Sequence, residues 1–295
     1  MTYTPPLRIA TRSSDQARTQ TEAVAAVLAD ATGVTPELVF VDTFGDRTQA
    51  DGVPLHAIGG QGVFVKEVQR AVIDGRADLA VHSAKDLPSD ATDGLVIAAF
   101  TERRSPHDVL IGRSLDQLAS GATVATGSVR RRAQMAALRP DLKFTELRGN
   151  IPTRLQKVPD DGSVVMALAA LEILDLTDQV AETLPISTFI PAVGQGGVAI
   201  ECRVDDEATI GALTVIDHTP TRSALEAERA FLAQLGSGCS LPVGAHVTDG
   251  HLYAFLADVD RGVSEQVVID LPDDHEAALG VARSTAHDLH VSVAG

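Results

Sequence analysis

Ala77-Asp-Leu-Ala-Val-His-Ser-Ala-Lys85-Asp86-Leu-Pro88 reads as a short apolar strand that runs out into one cation, one carboxylate and a proline. Chemistry at the end of an apolar strand marks an open α/β sheet, where the loops beyond the strand ends carry the site. The flanking sequence fits. Residues 7–10, 38–41, 79–81 and 96–100 have the composition of short buried strands. Between them Ala17, Val24, Val27 and Leu28 recur at helical spacing, and so do Val65, Val68 and Val72. Strands alternating with helices argue for a mostly parallel sheet.

A second unit of the same kind starts near residue 107, with strands at 123–125 and 144–147, a helix over 130–138 and a buried run at 164–168. Residues 198–201 form a further strand after the turn-rich Pro191-Ala-Val-Gly-Gln-Gly-Gly197. The C-terminal part changes character. Ala224, Ala227, Phe231 and Leu235 line one face of a helix that Gly236 and Gly238 end. Two extended stretches, 251–257 and 266–271, precede a closing helix that carries Leu279, Ala282, Ala286 and Leu289. The expected fold class is therefore α/β, with a small α+β module appended to two α/β units.

At 295 residues and 44% hydrophobic the chain can bury a sizeable core, and this length favours two or three domains. Residues 1–6 hold no basic region leading into an apolar stretch, so no signal peptide is expected. The longest apolar run, 164–171, is far short of the roughly 20 residues that span a bilayer. A soluble, cytoplasmic protein with no membrane partner is expected. Two cysteines, Cys202 and Cys239, make no disulfide framework, and no Cys/His cluster has zinc spacing, so no metal is expected.

The net charge of −16 argues against nucleic acid, whose binding relies on neutralising phosphates. The cations are nevertheless unevenly chosen, with 20 Arg against 4 Lys. Arg130, Arg131, Arg132, Arg139, Arg148 and Arg154 crowd into one short stretch. A guanidinium grips carboxylates or phosphates through two parallel hydrogen bonds, which an ammonium cannot do. Such a cluster in an acidic chain reads either as a focused anion site or as a solvated helix face.

Four segments sit where chemistry usually sits. Ile9-Ala-Thr-Arg12-Ser13-Ser14 puts an arginine and two hydroxyls before a helix, an anion site or simply a helix cap. Lys85 and Asp86 are either a surface ion pair or a cation beside a carboxylate that stabilises developing positive charge. Ala125-Thr-Gly-Ser128-Val-Arg130-Arg131 and Leu147-Arg148-Gly-Asn-Ile-Pro-Thr-Arg154 both follow strands, so their arginines can meet in one cleft. Arg130 and Arg131 are adjacent on a helix and are expected to point to different faces. Gly236-Ser-Gly-Cys239-Ser-Leu-Pro242-Val-Gly244 holds a cysteine in a glycine-rich loop, either open to reaction or, as a lone cysteine more often is, buried and structural; Cys202 follows an apolar strand and suits the buried, inert reading.

In this order and spacing the four segments resemble the porphobilinogen deaminases. The resemblance extends to Phe64-Val-Lys66-Glu67, Pro191-Ala-Val-Gly-Gln-Gly and Glu201-Cys-Arg203, and it runs from Arg8 to Gly244. It implies two lobes like those of periplasmic binding proteins plus a small α+β C-terminal domain. The implied divisions are 1–103 with 198–219, then 104–197, then 220–295. It also implies a transferase that condenses four porphobilinogen molecules head to tail, with loss of ammonia, into linear hydroxymethylbilane. A dipyrromethane cofactor, attached through Cys239, acts as primer. In that scheme Asp86 is catalytic. Lys85, Asp86, Ser128, Arg130 and Arg131 hold the cofactor, and Arg12, Ser14, Arg148 and Arg154 meet the substrate. A monomer is implied.

Two positions depart from the family pattern. Ile173 stands where an arginine is common, and Gln61 where a lysine is common, so other cations such as Arg132 are candidates to compensate. Two readings from other classes compete. A non-catalytic two-lobed module for anions or ligands needs neither Cys239 nor Lys85-Asp86. A cysteine acyl transferase needs a base beside Cys239, and nothing around His246 supplies an activating pattern.

Overall fold

The computed structural model of the chain describes residues 7–43, 65–236 and 242–295. Its first sheet is built from β1 (Arg8–Arg12), β2 (Glu37–Val41), β3 (Leu79–Ser83), β4 (Leu95–Phe100) and β10 (Val198–Arg203), in the order β2-β1-β3-β10-β4. The second contains β5 (Asp108–Gly112), β6 (Thr123–Ala125), β7 (Lys143–Thr145), β8 (Ser163–Ala167) and β9 (Val180–Thr183), ordered β7-β6-β8-β5-β9. The two sheets share one plan. Three parallel strands are followed by one antiparallel strand, β10 in the first and β5 in the second. In each sheet that antiparallel strand is the first one after the chain has crossed from the other sheet. These are two lobes of the periplasmic-binding kind, joined by two crossovers that run side by side. Arg104 N donates to Gly196 O at 3.0 Å, and Thr101 N to Val198 O at 3.2 Å.

The helices form for local reasons. The helix α1 (Asp15–Thr32) starts where the Ser14 hydroxyl accepts from Ala17 N, and it ends where Gly33 takes a left-handed φ of 73°. Its Val24 and Leu28 are buried against Ile9, Leu79 and Ile200. Burying such side chains contributes roughly 1.5–3 kcal/mol each. The short α2 (Lys66–Ile73) buries Val68, Ala71 and Val72 on the other face of the same sheet. In the second lobe, Ser128 caps α3 (Val129–Leu138) and Asn150 caps α4 (Ile151–Leu155). There, α5 (Leu168–Ile173) follows β8 directly, whereas α6 (Glu207–Leu213) follows β10 in the first lobe.

The C-terminal unit is an antiparallel sheet of β11 (Val243–Thr248), β12 (His251–Asp258) and β13 (Val263–Asp270). The helices α7 (Thr219–Leu235) and α8 (His275–Ala294) cover it, with Phe231, Leu252, Leu256, Ala282 and Leu289 in the shared core. Fully buried Glu228 on α7 ties this unit to both crossovers. It takes Arg103 Nη1 at 2.5 Å and Nη2 at 3.1 Å, Gly194 N at 2.8 Å, Val247 N at 2.9 Å and His246 Nδ1 at 3.1 Å.

Several sequence readings are adjusted. The buried run at 164–168 is strand only to Ala167, and Leu168 already opens α5. The expected strand at 144–147 is shifted to Lys143–Thr145, because Leu147 turns in to cover Ile151 and Val164. The periodicity did not reveal β5, β9 or β11. Two are short, and β11 is interrupted by Gly244 and His246.

Candidate functional site

The C-terminal ends of β1, β3, β6, β7 and β8 point at one cleft of about 360 Å³ between the lobes. Arg12, Ser14, Lys85, Asp86, Ser128, Arg130, Arg131, Arg148 and Arg154 all line it. Every sequence-predicted site residue that the structure describes is thus brought together. Cys239 and Gln61 lie outside the described residues.

Arg130 and Arg131 do not diverge as expected. Both close on Asp108, a fully buried carboxylate that opens β5. Asp108 Oδ2 accepts from Arg130 Nη2 at 2.7 Å, and Oδ1 accepts from Arg131 Nε at 2.8 Å. Arg131 Nη2 also lies 2.7 Å from Oδ1. The reason is position. Both arginines sit in the first turn of α3, and helical side chains lean toward the N-terminus, so two long arms there curl over the same helix end. Arg130 Nη1 donates further to Ile190 O at 2.5 Å, and Arg131 Nη1 to Val165 O at 3.2 Å. Gln195 Nε2 adds a donor to Asp108 Oδ1 at 3.1 Å. Burial alone would raise the Asp108 carboxyl, but the two guanidiniums hold it below the usual carboxylate range.

Neither guanidinium uses all of its N–H donors on these oxygens, and both line the cleft. Lys85 and Asp86 face them from the turn after β3. Burial pushes the Lys85 ammonium down to about 8, partly offset by Asp86 and Asp108. Among the described residues no hydrogen bond is made to the Asp86 carboxylate, which leaves its oxygens to the cleft. Arg154 Nε donates to Gly149 O at 2.7 Å, and burial, with Arg131 and Arg148 nearby, lowers the guanidinium to about 10. Arg148 Nε lies 3.4 Å from Glu146 Oε1. A cleft of stacked cations, with Asp86 and the exposed Asp15 as its carboxylates, suits a small polycarboxylate whose rings carry N–H groups. A dipyrromethane with acid side chains fits that donor set.

Ser14 and Ser128 reach the cleft as helix caps, accepting from Ala17 N and Arg131 N at 3.4 Å each. Arg132 lies over the Phe144 ring at 5.7 Å and Arg139 chelates Asp141, so neither lines the cleft. Arg132 is therefore not placed to compensate for Ile173. Ile173 itself stands beside the cleft, whose wall is formed by Ala170 and Leu174. Cys202 is fully buried, and burial raises its thiol to about 11. The sequence reading missed Asp108 and Gln195. The available signal was a carboxylate at the head of the apolar run Asp108-Val-Leu-Ile111, which needs a buried cation in a chain that offers paired arginines.

The family model described as "Porphobilinogen deaminase, dipyromethane cofactor binding domain" matches residues 7–211. The chain belongs to the porphobilinogen deaminase family. The model of that family's C-terminal domain matches residues 223–287. The porphobilinogen deaminase of Thermobifida fusca is 43% identical over 302 residues, which covers 97% of this chain and 93% of that one. Those of Brevibacillus brevis and Geobacter metallireducens are 44% and 40% identical, over 82% and 94% of this chain and 80% and 89% of theirs. Membership decides for an enzyme over the two-lobed binding module. Solved structures superpose more loosely. An extracytoplasmic solute receptor of Bordetella pertussis that binds pyroglutamic acid matches at 13% identity and a TM-score of 0.43, over 99% of this chain and 96% of that one. The lobes are assigned from their strand order and not from that likeness.

Proposed function

We propose that this chain is a hydroxymethylbilane synthase. It joins four porphobilinogen molecules head to tail, releasing one ammonia per bond formed, and water completes the product when it leaves. The observation that carries this reading is the convergence of Lys85, Asp86, Arg130, Arg131, Arg148, Arg154 and Arg12 on one cleft in a chain of this family. When bound, the dipyrromethane supplies the pyrrole carbon to which the first substrate unit is joined, and Cys239 is its attachment point.

The residues divide by place. Arg130, Arg131 and Lys85, with Ser128, hold the carboxylates of the cofactor. Arg12, Ser14, Arg148 and Arg154 meet the acetate and propionate of incoming substrate through charge-assisted hydrogen bonds. The Asp86 carboxylate stabilises positive charge on the pyrroles as ammonia departs and holds a proton in transit, because a fixed anion in a partly dry cleft acts with little reorganisation. The domains divide at 1–103 with 198–219, 104–197 and 220–295. The enzyme works as a cytoplasmic monomer. Among the described residues no helix is long and apolar enough to cross a membrane.

An intact-mass spectrum of freshly purified protein tests this reading. One covalent dipyrromethane is expected on the wild type and on Cys202→Ser, and none on Cys239→Ser. Incubation with porphobilinogen should release ammonia and hydroxymethylbilane. A bare chain without turnover, or an adduct on Cys202, would overturn it.

A further inference from the structure

The catalytic role proposed for Asp86 raises a question of position. Its carboxylate has no hydrogen-bonding partner among the described residues, so beyond the charges of Lys85 and Arg154 it is the backbone of its turn that fixes where it sits. On the upstream side Ala84 N donates to Gly197 O at 2.9 Å. Gly194, at φ 75°, passes so close that a Cβ there would lie 2.9 Å from both Ala84 C and Lys85 N. The second crossover therefore supports the front of the turn. Its back is weaker. Leu87 N reaches Ala84 O at only 3.3 Å, Pro88 has no N–H, and the buried Ser89 hydroxyl has no hydrogen-bond partner among the described residues.

What holds the back of the turn comes from α7. Arg229 Nη2 donates to Pro88 O at 2.9 Å and to Ser89 O at 3.3 Å. One helical turn earlier, Leu225 packs with Leu87, Phe100 and Ala199 in a fully buried cluster. Residues 225 and 229 are four apart and so share one helix face. That face grips the Asp86 turn through an apolar contact and two hydrogen bonds. Burial disfavours the Arg229 charge and lowers its pKa, an effect that Glu201, Asp90 and Glu226 offset only in part.

We propose that Arg229 is a positioning residue for Asp86, through which the C-terminal unit sets the reach of the catalytic carboxylate. This rests on the reading of Asp86 given above. A carbonyl pair tied to a planar guanidinium is fixed in direction as well as distance, which a single ammonium does less well. Release of that tie lets the back of the turn, and Asp86 with it, drift, while Lys85 stays on the side that the second crossover supports and the arginines of the cleft, which come from other elements, keep their places. The consequence is specific: turnover falls while binding stays.

The experiment is steady-state kinetics on the cofactor-loaded enzyme for Arg229→Met, Arg229→Lys, Asp86→Asn and the double variant Arg229→Met/Asp86→Asn. Misplacing a catalytic group by an ångström is worth on the order of 10²-fold, so Arg229→Met should lose about 10- to 100-fold in kcat. KM for porphobilinogen and the covalent cofactor seen by mass should stay as in the wild type. Arg229→Lys should recover part of the loss. The double variant should be no slower than Asp86→Asn alone, because a residue that acts through Asp86 has nothing left to act on. The proposal is overturned if Arg229→Met keeps kcat within about twofold of wild type, if it loses the cofactor or melts at far lower temperature, or if the two losses multiply. Near-normal turnover in Asp86→Asn would instead sink the reading of Asp86, a result that the single variant alone identifies.

Discussion

Lys85 stands in the cleft with Asp86 on its own turn, Arg130 and Arg131 on α3, and Asp108 on β5. Burial lowers its ammonium to about 8, so the cleft loses one positive charge as pH rises through that value. A carboxylate-rich substrate should then bind less well, and KM for porphobilinogen should climb above about pH 8. Lys85→Arg keeps the charge well beyond that range. Its KM should stay flat where that of the wild type rises, and an unchanged alkaline limb would show that Lys85 does not set it. Asp108 is a different kind of residue, invisible to substrate yet shared by both arginines of α3. Removing one partner of a buried ion pair costs about 3–5 kcal/mol, because the remaining charge stays buried without its counter-ion. Asp108→Asn should show that loss in denaturant unfolding. A small polycarboxylate added to the cofactor-free chain should stabilise the variant more than the wild type, since it supplies the missing anion. Equal stabilisation of both would contradict that account.

At the level of elements, α3 and the segment after β7 deliver their arginines for different purposes. Arg130 and Arg131 are locked to Asp108 and to the Ile190 and Val165 carbonyls, a preorganised grip suited to a permanently bound group. Arg148 and Arg154 come from the turn that Asn150 caps; Arg154 is tied to the Gly149 carbonyl, and Arg148 lies near Glu146. Arg130→Leu or Arg131→Leu should therefore give folded protein with little covalent cofactor. Arg148→Leu or Arg154→Leu should keep the cofactor and stall at short enzyme–pyrrole adducts, all read by intact mass. If all four variants kept cofactor and full turnover, the arginines would not be the anion site. The sequence made these elements legible because apolar runs ending in Arg12, Lys85-Asp86 and Ser128 mark strand ends. Their meeting in one cleft follows from two sheets built on one plan. Asp108 was not legible, since its role depends on a pairing that crosses from β5 to α3. Nor was the closure of Arg130 and Arg131 on one oxygen pair, because simple helical geometry separates neighbours and only side-chain length lets them meet.

Over the whole molecule, Glu228 is the point at which the C-terminal unit is tied to both crossovers at once. Its carboxylate joins α7 and β11 to Arg103 of one crossover and to Gly194 of the other. Burial would raise this carboxyl, but Arg103 and His246 outweigh it and hold the group at about 2, against an ordinary 4.5. A carboxylate with a lowered folded-state value contributes stability that is full above the ordinary value and lost as pH falls through the folded one. The window is therefore about 4.5 down to about 2, and the contribution is on the order of 3 kcal/mol. Glu228→Gln removes it. Near neutral pH the variant should unfold at clearly lower urea than the wild type, since Arg103 is left without its partner. As pH falls through that window the gap between the two chains should close, because the wild type is losing the same charge. Asp78, Asp108 and Glu201 are also held low, so both chains weaken in acid, and only their difference reports on Glu228. A gap that stays constant from neutral pH to about pH 2 would mean that packing, not the ion pair, holds the third unit to the crossovers.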